Sequence, residues 1–389
     1  MTSSSIKERA RVPTEQDSSI IRTDQPCKTL VVCPIGLGNF VMATPALSLL
    51  SNQIGRANLH LLALKPAIKQ MAEASDLFGM VPFWDVDREG FRPGLALIGS
   101  LRKQQYDYSI ALFPTGDWKF GLFALLAGAR TRVGFAYPNS RIPERLQTVS
   151  LPLDPLLHDT DQNYRFADHL LGTPRRVVST LNDAPLAQAD LSLQFPFPSS
   201  HKQVDELTGQ RYFVCHPGSS AERGMRDKRL PAHAFAEVIR RIYAQFGLRC
   251  ILIGGPEEAD LRTQIQADLR DETLNITSSN LNELAALIAH SQLYVGNDSG
   301  LMHVAVALGK RCIAFFGPTD DRRNGPYYGT EPGRHLIVRR DDLTCSPCWT
   351  LLTVGANPAC IYGDTRCLTD LSIDKVWPRI ASYLGGVLH

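Results

Sequence analysis

A short apolar strand, a glycine turn and then a helix recur along this chain, and they recur in two sets. Lys28-Thr-Leu-Val-Val-Cys33 runs into Pro34-Ile-Gly-Leu-Gly38 and an apolar helical pattern. Further strands read at Leu59 to Leu64, Tyr108 to Phe113 and Arg132 to Phe135, with helices near Ala67 to Ala74, Gly94 to Gln104 and Trp118 to Ala127. The alternation stops over Asp190 to Gln203, where Pro196, Pro198 and paired serines leave no periodicity, and restarts at Arg211-Tyr-Phe-Val-Cys215. Strands at Arg249 to Ile253, Gln292 to Gly296 and Lys310 to Phe316 then alternate with helices at Pro231 to Gly247, Glu257 to Arg270, Leu281 to His290 and Gly300 to Leu308. A last helix, Ser372 to Leu384, is capped by Ser372 and placed to pack back across the halves. Such alternation marks βαβ units around parallel sheets. It predicts an α/β chain with a disordered tail over 1–25, one domain over 26–195 and a second over 205–389, the latter carrying a Cys-rich loop at 341–368. Open parallel sheets bind ligands beyond their strand C-termini, so two facing sheets predict a central cleft lined by the loops at those ends.

Composition narrows the function classes. Over 389 residues, 41 Lys and Arg balance 39 Asp and Glu, a net charge of +2. That balance excludes a dedicated nucleic-acid binder, and 44% apolar residues exclude a disordered chain. Leu122 to Ala129 is among the longest apolar runs, far short of the roughly 18 residues that would suggest a spanning helix. The first 25 residues hold four basic and four acidic side chains and no stretch resembling a signal peptide, so the expectation is a cytoplasmic protein. In that reducing compartment the nine cysteines are expected as thiols or metal ligands.

Three stretches sit where the cleft is expected. Gly36-x-Gly38 allows close approach of backbone to a ligand, but Val41 stands where a dinucleotide fingerprint needs its third glycine. Val295-Gly-Asn-Asp-Ser-Gly-Leu-Met-His303 is a strand end followed by a helix start, where the N–H groups of Gly300, Leu301 and Met302 favour a phosphate. Asp298 would repel that phosphate and suits a sugar hydroxyl, while Ser299 reads equally as a helix cap. His216-Pro-Gly-Ser-Ser-Ala-Glu-Arg-Gly-Met-Arg-Asp-Lys-Arg229 combines turn residues, hydroxyls and cations suited to a diphosphate. No P-loop is present.

Taken together, Gly36-Leu-Gly-Asn-Phe-Val-Met-Ala-Thr-Pro-Ala46, His216-Pro-Gly-Ser-Ser220 with Lys228-Arg-Leu-Pro231, Gly296-Asn-Asp-Ser-Gly-Leu-Met-His303 and Phe316-Gly-Pro-Thr-Asp320 with Gly325-Pro-Tyr327 resemble glycosyltransferase family 9, the ADP-heptose:lipopolysaccharide heptosyltransferases. The resemblance runs from about residue 28 to the C-terminus. It implies a GT-B fold of two Rossmann-like domains, with the acceptor on the first and the nucleotide sugar on the second. It further implies a metal-independent, inverting transfer of a heptose from an ADP-activated donor to a hydroxyl of a glycan or glycolipid of the cell envelope. By the same resemblance Ser219, Ser220, Ser299, Gly300 and Leu301 hold the diphosphate and Lys228 lies near phosphate and sugar. Asp298 contacts the heptose, Glu257 the nucleotide ribose, and His303 shares the helix of the phosphate site.

One position departs from the family pattern. Where an aspartate proposed as general base commonly follows Gly-x-Gly, this chain has Asn39, whose amide cannot accept the acceptor's proton. Asp117, in Phe113-Pro-Thr-Gly-Asp-Trp118 beyond a strand end, is the substitute, with a helix cap as its competing role. Asn39 also keeps open a nucleotide-sugar-binding protein with altered catalysis, and a protein acceptor is a variant within the same class. Cys345, Cys348, Cys360 and Cys367 have the spacing C-x2-C-x11-C-x6-C, suited to a closed structural zinc or iron site and similar to a cysteine pattern in family members. Lys119 to Arg145 holds five basic residues and one acidic among aromatic ones, which fits an acidic acceptor, the inner membrane surface, or simply a solvated helix face.

Overall fold

The computed structural model describes residues 27–137, 142–172, 210–220, 224–267, 269, 272–327, 333–350, 353 and 359–388. The expected tail at 1–25 and linker at 190–203 lie outside them. Among the described residues there are two sheets, all of whose strand pairs are parallel. The first contains β1 (Thr29–Cys33), β2 (Leu59–Ala63), β3 (Tyr108–Ala111), β4 (Thr131–Ala136) and β5 (Val149–Pro152) in the order β2-β1-β3-β4-β5. The second contains β6 (Tyr212–His216), β7 (Arg249–Gly254), β8 (Thr273–Thr277), β9 (Tyr294–Asn297), β10 (Cys312–Phe315) and β11 (Leu336–Val338) in the order β11-β10-β9-β6-β7-β8. In each sheet the first strand lies between its successor and a later strand, so the order reverses at β1/β3 and at β6/β9. Ligands of such sheets bind at these reversals, off the strand C-termini.

The central strands β1, β6 and β9, and β2 at the edge of the first sheet, are buried along their whole length, as strands covered on both faces must be. The helix Ala232–Phe246 shows how the sequence achieves the cover: Phe235, Val238, Ile239 and Ile242 recur at three- and four-residue spacing and all are buried. Pro231 is its N-cap rather than its first helical residue, and Gly247 ends it in the left-handed conformation. One buried apolar cluster is continuous from Val31, Phe40 and Leu47 in the first half to Met302 and Val304 in the second. The helix Leu37–Ile54 lies against both the helix Asp159–Leu171 of its own half and the helix Gly300–Ala307 of the other, so it forms the floor between the two sheets.

The terminal helix departs from expectation. It spans Ile373–Leu388 and stays on the second half, against the helix Ala232–Phe246 and β11, instead of packing back across both. Ile380 and Leu384 are buried there, Arg241 pairs with Asp374 and stacks 5.6 Å from the Trp377 ring. The elements without a sequence signal are edge strands or polar: β5, β8, β11 and the helix Asp159–Leu171, whose polar face is buried for a reason that emerges at the site.

Candidate active site

The second sheet places its polar residues at the β6/β9 reversal. β9 ends in Asn297, which is fully buried and ties two loops together: its Nδ2 donates to Pro217 O at 2.6 Å and its Oδ1 accepts from Leu230 N at 3.0 Å. Asp298 and Ser299 follow, and the helix begins at Gly300. Ser299 occupies the N-cap position with extended backbone, yet its hydroxyl makes no capping bond to the helix. It turns inward instead, 3.1 Å from His216 Nδ1 and 3.3 Å from the Tyr294 hydroxyl. The Ser299 hydroxyl therefore does not cap the helix, and its first N–H groups have no side-chain cap.

A second uncapped helix start faces it. Leu37–Ile54 has Gly36 at its N-cap, no side-chain capping bond and no acidic residue in its first turn. The two starts touch: a Cβ on Gly38 would stand 2.7 Å from His303 Cδ2 and 3.2 Å from Gly300 Cα, so only glycine fits at residue 38. Two helix N-termini converging on one place put two positive macrodipole ends there, an arrangement suited to an anion. Asn39 sits in the first turn of the same helix, partly buried.

Lys228 and Asp298 form an ion pair at 2.7 Å with side chains only 14% and 6% exposed, and the Lys228 ammonium lies 5.7 Å from the Trp349 ring centre. This places a largely buried cation and a buried carboxylate beside the helix start. His303 is buried on that helix, its imidazole pushed down to about 4 by burial, with Asp298 opposing the shift and Lys228 reinforcing it. Among the described residues its Nδ1 has no hydrogen-bond partner, an orphaned polar atom that a bound hydroxyl would satisfy.

The serines after β6 divide. Ser219 donates its hydroxyl to Met225 O at 2.7 Å and accepts from Arg229 Nε at 3.0 Å, so it holds the 225–229 turn that presents Lys228. Its hydroxyl is thus engaged by the protein. Ser220 is exposed. The two glutamates after β7 also divide: Glu257 is exposed, and Glu258 is buried 3.1 Å from His216 Nε2. The sequence offers Arg229 beside Lys228 as a cation for the leaving group, and the structure places it on Ser219 and near Glu258; His216, Asn297 and Glu258 carry no local signal for their roles, and the adjacency of Glu257 and Glu258 leaves helical phase to decide which one turns inward.

The first half contributes the start of the helix Asp159–Leu171. Asp159, 1% exposed, accepts from Arg323 Nη2 at 2.9 Å and from Asn324 Nδ2 at 2.7 Å across the cleft. Asp161 accepts from the Tyr327 hydroxyl at 3.0 Å. His158 Nε2 lies 3.0 Å from Gly325 O and its Nδ1 accepts from Thr160 N at 3.1 Å, which fixes the ring hydrogen on Nε2. Burial pushes both carboxyls up to about 6, in Asp159 against the pull of Arg323 and Asn324, and pushes His158 down to about 3. These bonds explain why a polar helix is buried: its polar groups clasp the Arg323-to-Tyr327 loop of the second half.

Asp117 takes the capping role its position allowed. It is the N-cap of the helix Trp118–Leu126, accepting from Lys119 N at 3.0 Å, with its side chain 43% exposed and 3.5 Å from Lys119 Nζ. The loop leading to it turns toward the second half, since Arg323 lies 5.7 Å from the Phe113 ring. The basic stretch around it is partly spent on the fold: Arg132 is buried and donates to the carbonyls of Ala129, Arg130, Arg145 and Leu146, and Arg130 pairs with Asp107.

The four clustered cysteines share one loop region. Burial and the charges of Cys348, Cys360 and Cys345 push the Cys367 thiol up to about 11, and burial with Cys360 and Cys345 raises Cys348. Cys360 moves the other way: burial would raise it, but backbone N–H groups of Tyr362, Thr365, Asp364 and Gly363 hold it below its ordinary value. Such a donor set suits a four-thiolate metal site. As they stand, among the described residues, no three His, Cys, Asp or Glu side chains converge closely enough to bind one ion.

Residues 95–350 match the family described as glycosyltransferase family 9 (heptosyltransferase). The chain belongs to glycosyltransferase family 9. This glycosyltransferase is 25% identical over 293 residues to lipopolysaccharide heptosyltransferase 3 of Escherichia coli, covering 73% of the chain and 81% of that relative. The structure of E. coli ADP-heptose lipopolysaccharide heptosyltransferase II superposes with a TM-score of 0.64 at 19% identity, over 92% of this chain and 98% of that one. An iron-containing dodecameric glycosyltransferase from enterotoxigenic E. coli gives a TM-score of 0.54 at 16% identity, over 93% and 77%. The fold of this glycosyltransferase is therefore GT-B, two α/β domains with parallel sheets facing a cleft.

Proposed function

We propose that this glycosyltransferase transfers a heptose, with inversion, from an ADP-activated donor to a hydroxyl of a cell-envelope glycan such as the lipopolysaccharide core. The observation that carries the reading is the pair of uncapped helix starts, at Gly36–Leu37 and Ser299–Gly300, meeting beside the buried Lys228–Asp298 pair. The backbone N–H groups of Gly300 and Leu301 receive the diphosphate, and the Ser220 backbone borders it. Asp298 accepts from the sugar hydroxyls, with His303 Nδ1 as a second contact, and the exposed Glu257 receives the ribose. Lys228 then faces the phosphate as the glycosidic bond breaks, so its charge stabilises the leaving ADP more than the bound donor, which is what accelerates the step. Transfer is assigned to these side chains, with no metal in it.

Asp117 is the group we assign to take the acceptor proton in place of Asn39. It lies at the C-terminal edge of the first sheet, beside the reversal at β1/β3 where the acceptor is to bind. The exposed Trp118, Leu125 and Leu126 of the following helix, with Lys119, fit contact with the membrane surface carrying a glycolipid acceptor. Among the described residues no helix is long and apolar enough to cross a membrane. Cys345, Cys348, Cys360 and Cys367 would hold a structural zinc or iron, which when bound supplies a cross-link between four thiolates; the iron of the dodecameric relative favours iron. That loop also carries Trp349, whose contact with Lys228 links its order to the donor site.

The test is mass spectrometry of the envelope glycan from cells lacking the protein. Loss of one heptose from a defined position supports the reading, and an unaltered glycan refutes a glycan acceptor. A second reading is favoured by Asn39: a protein that binds the nucleotide sugar without transferring it, recognisable by donor binding without ADP release over a panel of acceptors.

A further inference from the structure

Behind the helix start, Ser299 is backed by two buried polar groups, His216 and Glu258, to which neither the cap nor the donor reading gives a role. Ser299 Oγ lies 3.1 Å from His216 Nδ1, and His216 Nε2 lies 3.1 Å from Glu258 Oε2. Glu258 also accepts from Gly255 N at 3.2 Å and has the Arg229 guanidinium 3.8 Å away. Ser299, His216 and Glu258 are 7%, 5% and 5% exposed, so each must find its partner inside the protein. The packing enforces the line: a Cβ on Gly218 would collide with the Glu258 carboxylate, which leaves glycine as the residue that lets Glu258 reach the ring.

Donor and acceptor roles follow from the chemistry. Burial opposes ionisation of Glu258, but the bonds from His216 and Gly255 and the charge of Arg229 hold it below the ordinary carboxylate range, so it is an acceptor only. His216 Nε2 must therefore carry a hydrogen. Two states remain for Nδ1. In a neutral ring it accepts the Ser299 hydroxyl hydrogen, and the lone pairs of Oγ then face an approaching phosphate, which repels it. In an imidazolium Nδ1–H donates to Oγ, and the hydroxyl hydrogen is released to point at the helix start, where the Gly300 and Leu301 N–H groups already lie. The remaining neighbour, Tyr294, keeps its proton because burial raises its hydroxyl well above the ordinary range.

We infer that His216 is a positioning residue of the donor site: anchored by Glu258, its ring takes up a proton from solvent as the diphosphate binds and swings the Ser299 hydroxyl from the ring to a phosphate oxygen. The inference rests on the donor reading proposed above. The step balances simply. One proton passes from water or buffer to Nδ1, the Ser299 hydroxyl keeps its own hydrogen and only rotates, and the proton returns to solvent when ADP leaves. The buried Glu258 carboxylate offsets the charge gained by the ring, and that added charge lies where negative charge accumulates on the leaving group.

The test is isothermal titration of ADP-heptose into the full chain without acceptor, in two buffers of different ionisation enthalpy, about one pH unit above the ordinary histidine value of about 6.5. A sugar diphosphate has no titrating group of its own there, so the buffer dependence counts protons taken up by the protein. We expect uptake of a substantial fraction of one proton per donor bound, abolished in His216→Gln and in Glu258→Gln. His216→Gln and Ser299→Ala should each weaken binding about 10-fold, and the double variant should be no weaker than either alone, because the two act as one unit. Thermal melting checks that each variant folds, and proton uptake by the unmodified protein needs no variant at all. Donor binding without proton uptake, with additive losses in the double variant, overturns the relay and leaves the donor reading standing. Failure of the unmodified, folded protein to bind ADP-heptose overturns both.

Discussion

The two sides of the cleft are built differently. On the second half the polar groups at the sheet reversal are buried and bonded to one another before any ligand arrives: Lys228 to Asp298, Ser299 to His216, His216 to Glu258, Asn297 to two loops. On the first half the corresponding loop ends in Asp117, a carboxylate 43% exposed whose bonds are to its own helix and to Lys119. A site whose polar groups are fixed in advance spends little on ordering when it binds, whereas exposed groups must be ordered by the ligand. The contrast separates a half of the cleft whose polar groups are fixed in advance from one whose carboxylate a ligand must order.

The strongest way to break this contrast is to remove the fixed cation. Lys228→Ala is expected to lower kcat by about 10²–10³-fold in an ADP-release assay. It also leaves Asp298 buried without its partner, which costs roughly 3–5 kcal/mol, so the melting temperature should fall as well. Lys228→Ala with Asp298→Asn then separates the two effects: stability should recover and turnover should not. Recovery of turnover in the double variant would remove Lys228 from the chemistry.

Asp117→Asn probes the open side next. Asparagine caps a helix about as well as aspartate, so the fold and donor affinity should be unchanged while kcat falls by about 10²–10⁴-fold, the usual worth of a general base. Full activity in this variant assigns Asp117 to the cap alone. For the cysteine loop, elemental analysis of anaerobically purified protein should find close to one zinc or iron per chain, and Cys360→Ser should lower both metal content and melting temperature; a metal-free protein of unchanged stability contradicts the site.

The smallest effect tests how the two sides are clasped. Burial raises the Asp161 carboxyl to about 6, so its contribution to stability is complete only below the ordinary value and is lost as the pH rises through about 6. At neutral pH the wild-type chain therefore carries a buried charge that an amide would not. Asp161→Asn keeps an oxygen to accept from Tyr327 and should be about 1–2 kcal/mol more stable above pH 6, an advantage that vanishes below about pH 4. A destabilised variant at neutral pH would show that the carboxylate holds the clasp more strongly than burial opposes it.

The same contrast governs what the sequence made legible. Asp298, Ser299, Gly300 and Leu301 are consecutive, and a strand end followed by a helix start places them at a sheet edge without knowledge of the rest of the chain. The alternation of strands and helices likewise located nearly every central strand to within two residues. The groups that steady the site are far apart in sequence: His216 meets Glu258 at a separation of 42 residues, and Asp159 meets Arg323 at 164. Nothing local distinguishes such residues from solvated charges, and the helix Asp159–Leu171 gives a weak apolar signal because the residues it buries in its first turns are polar. For Ser219 the family resemblance implies a place at the diphosphate, and its hydroxyl serves the turn that carries Lys228. Of the edge strands, β8 is mostly uncovered and β11 is only three residues long, so their patterns are too weak to read.

Incubating the full chain with ADP-heptose and a heptose-deficient lipopolysaccharide core, then weighing the oligosaccharide by mass spectrometry, tests the central claim most directly. Gain of one heptose with an equal amount of ADP released is the predicted result. An unchanged oligosaccharide, with ADP-heptose bound to the protein and intact, would contradict it.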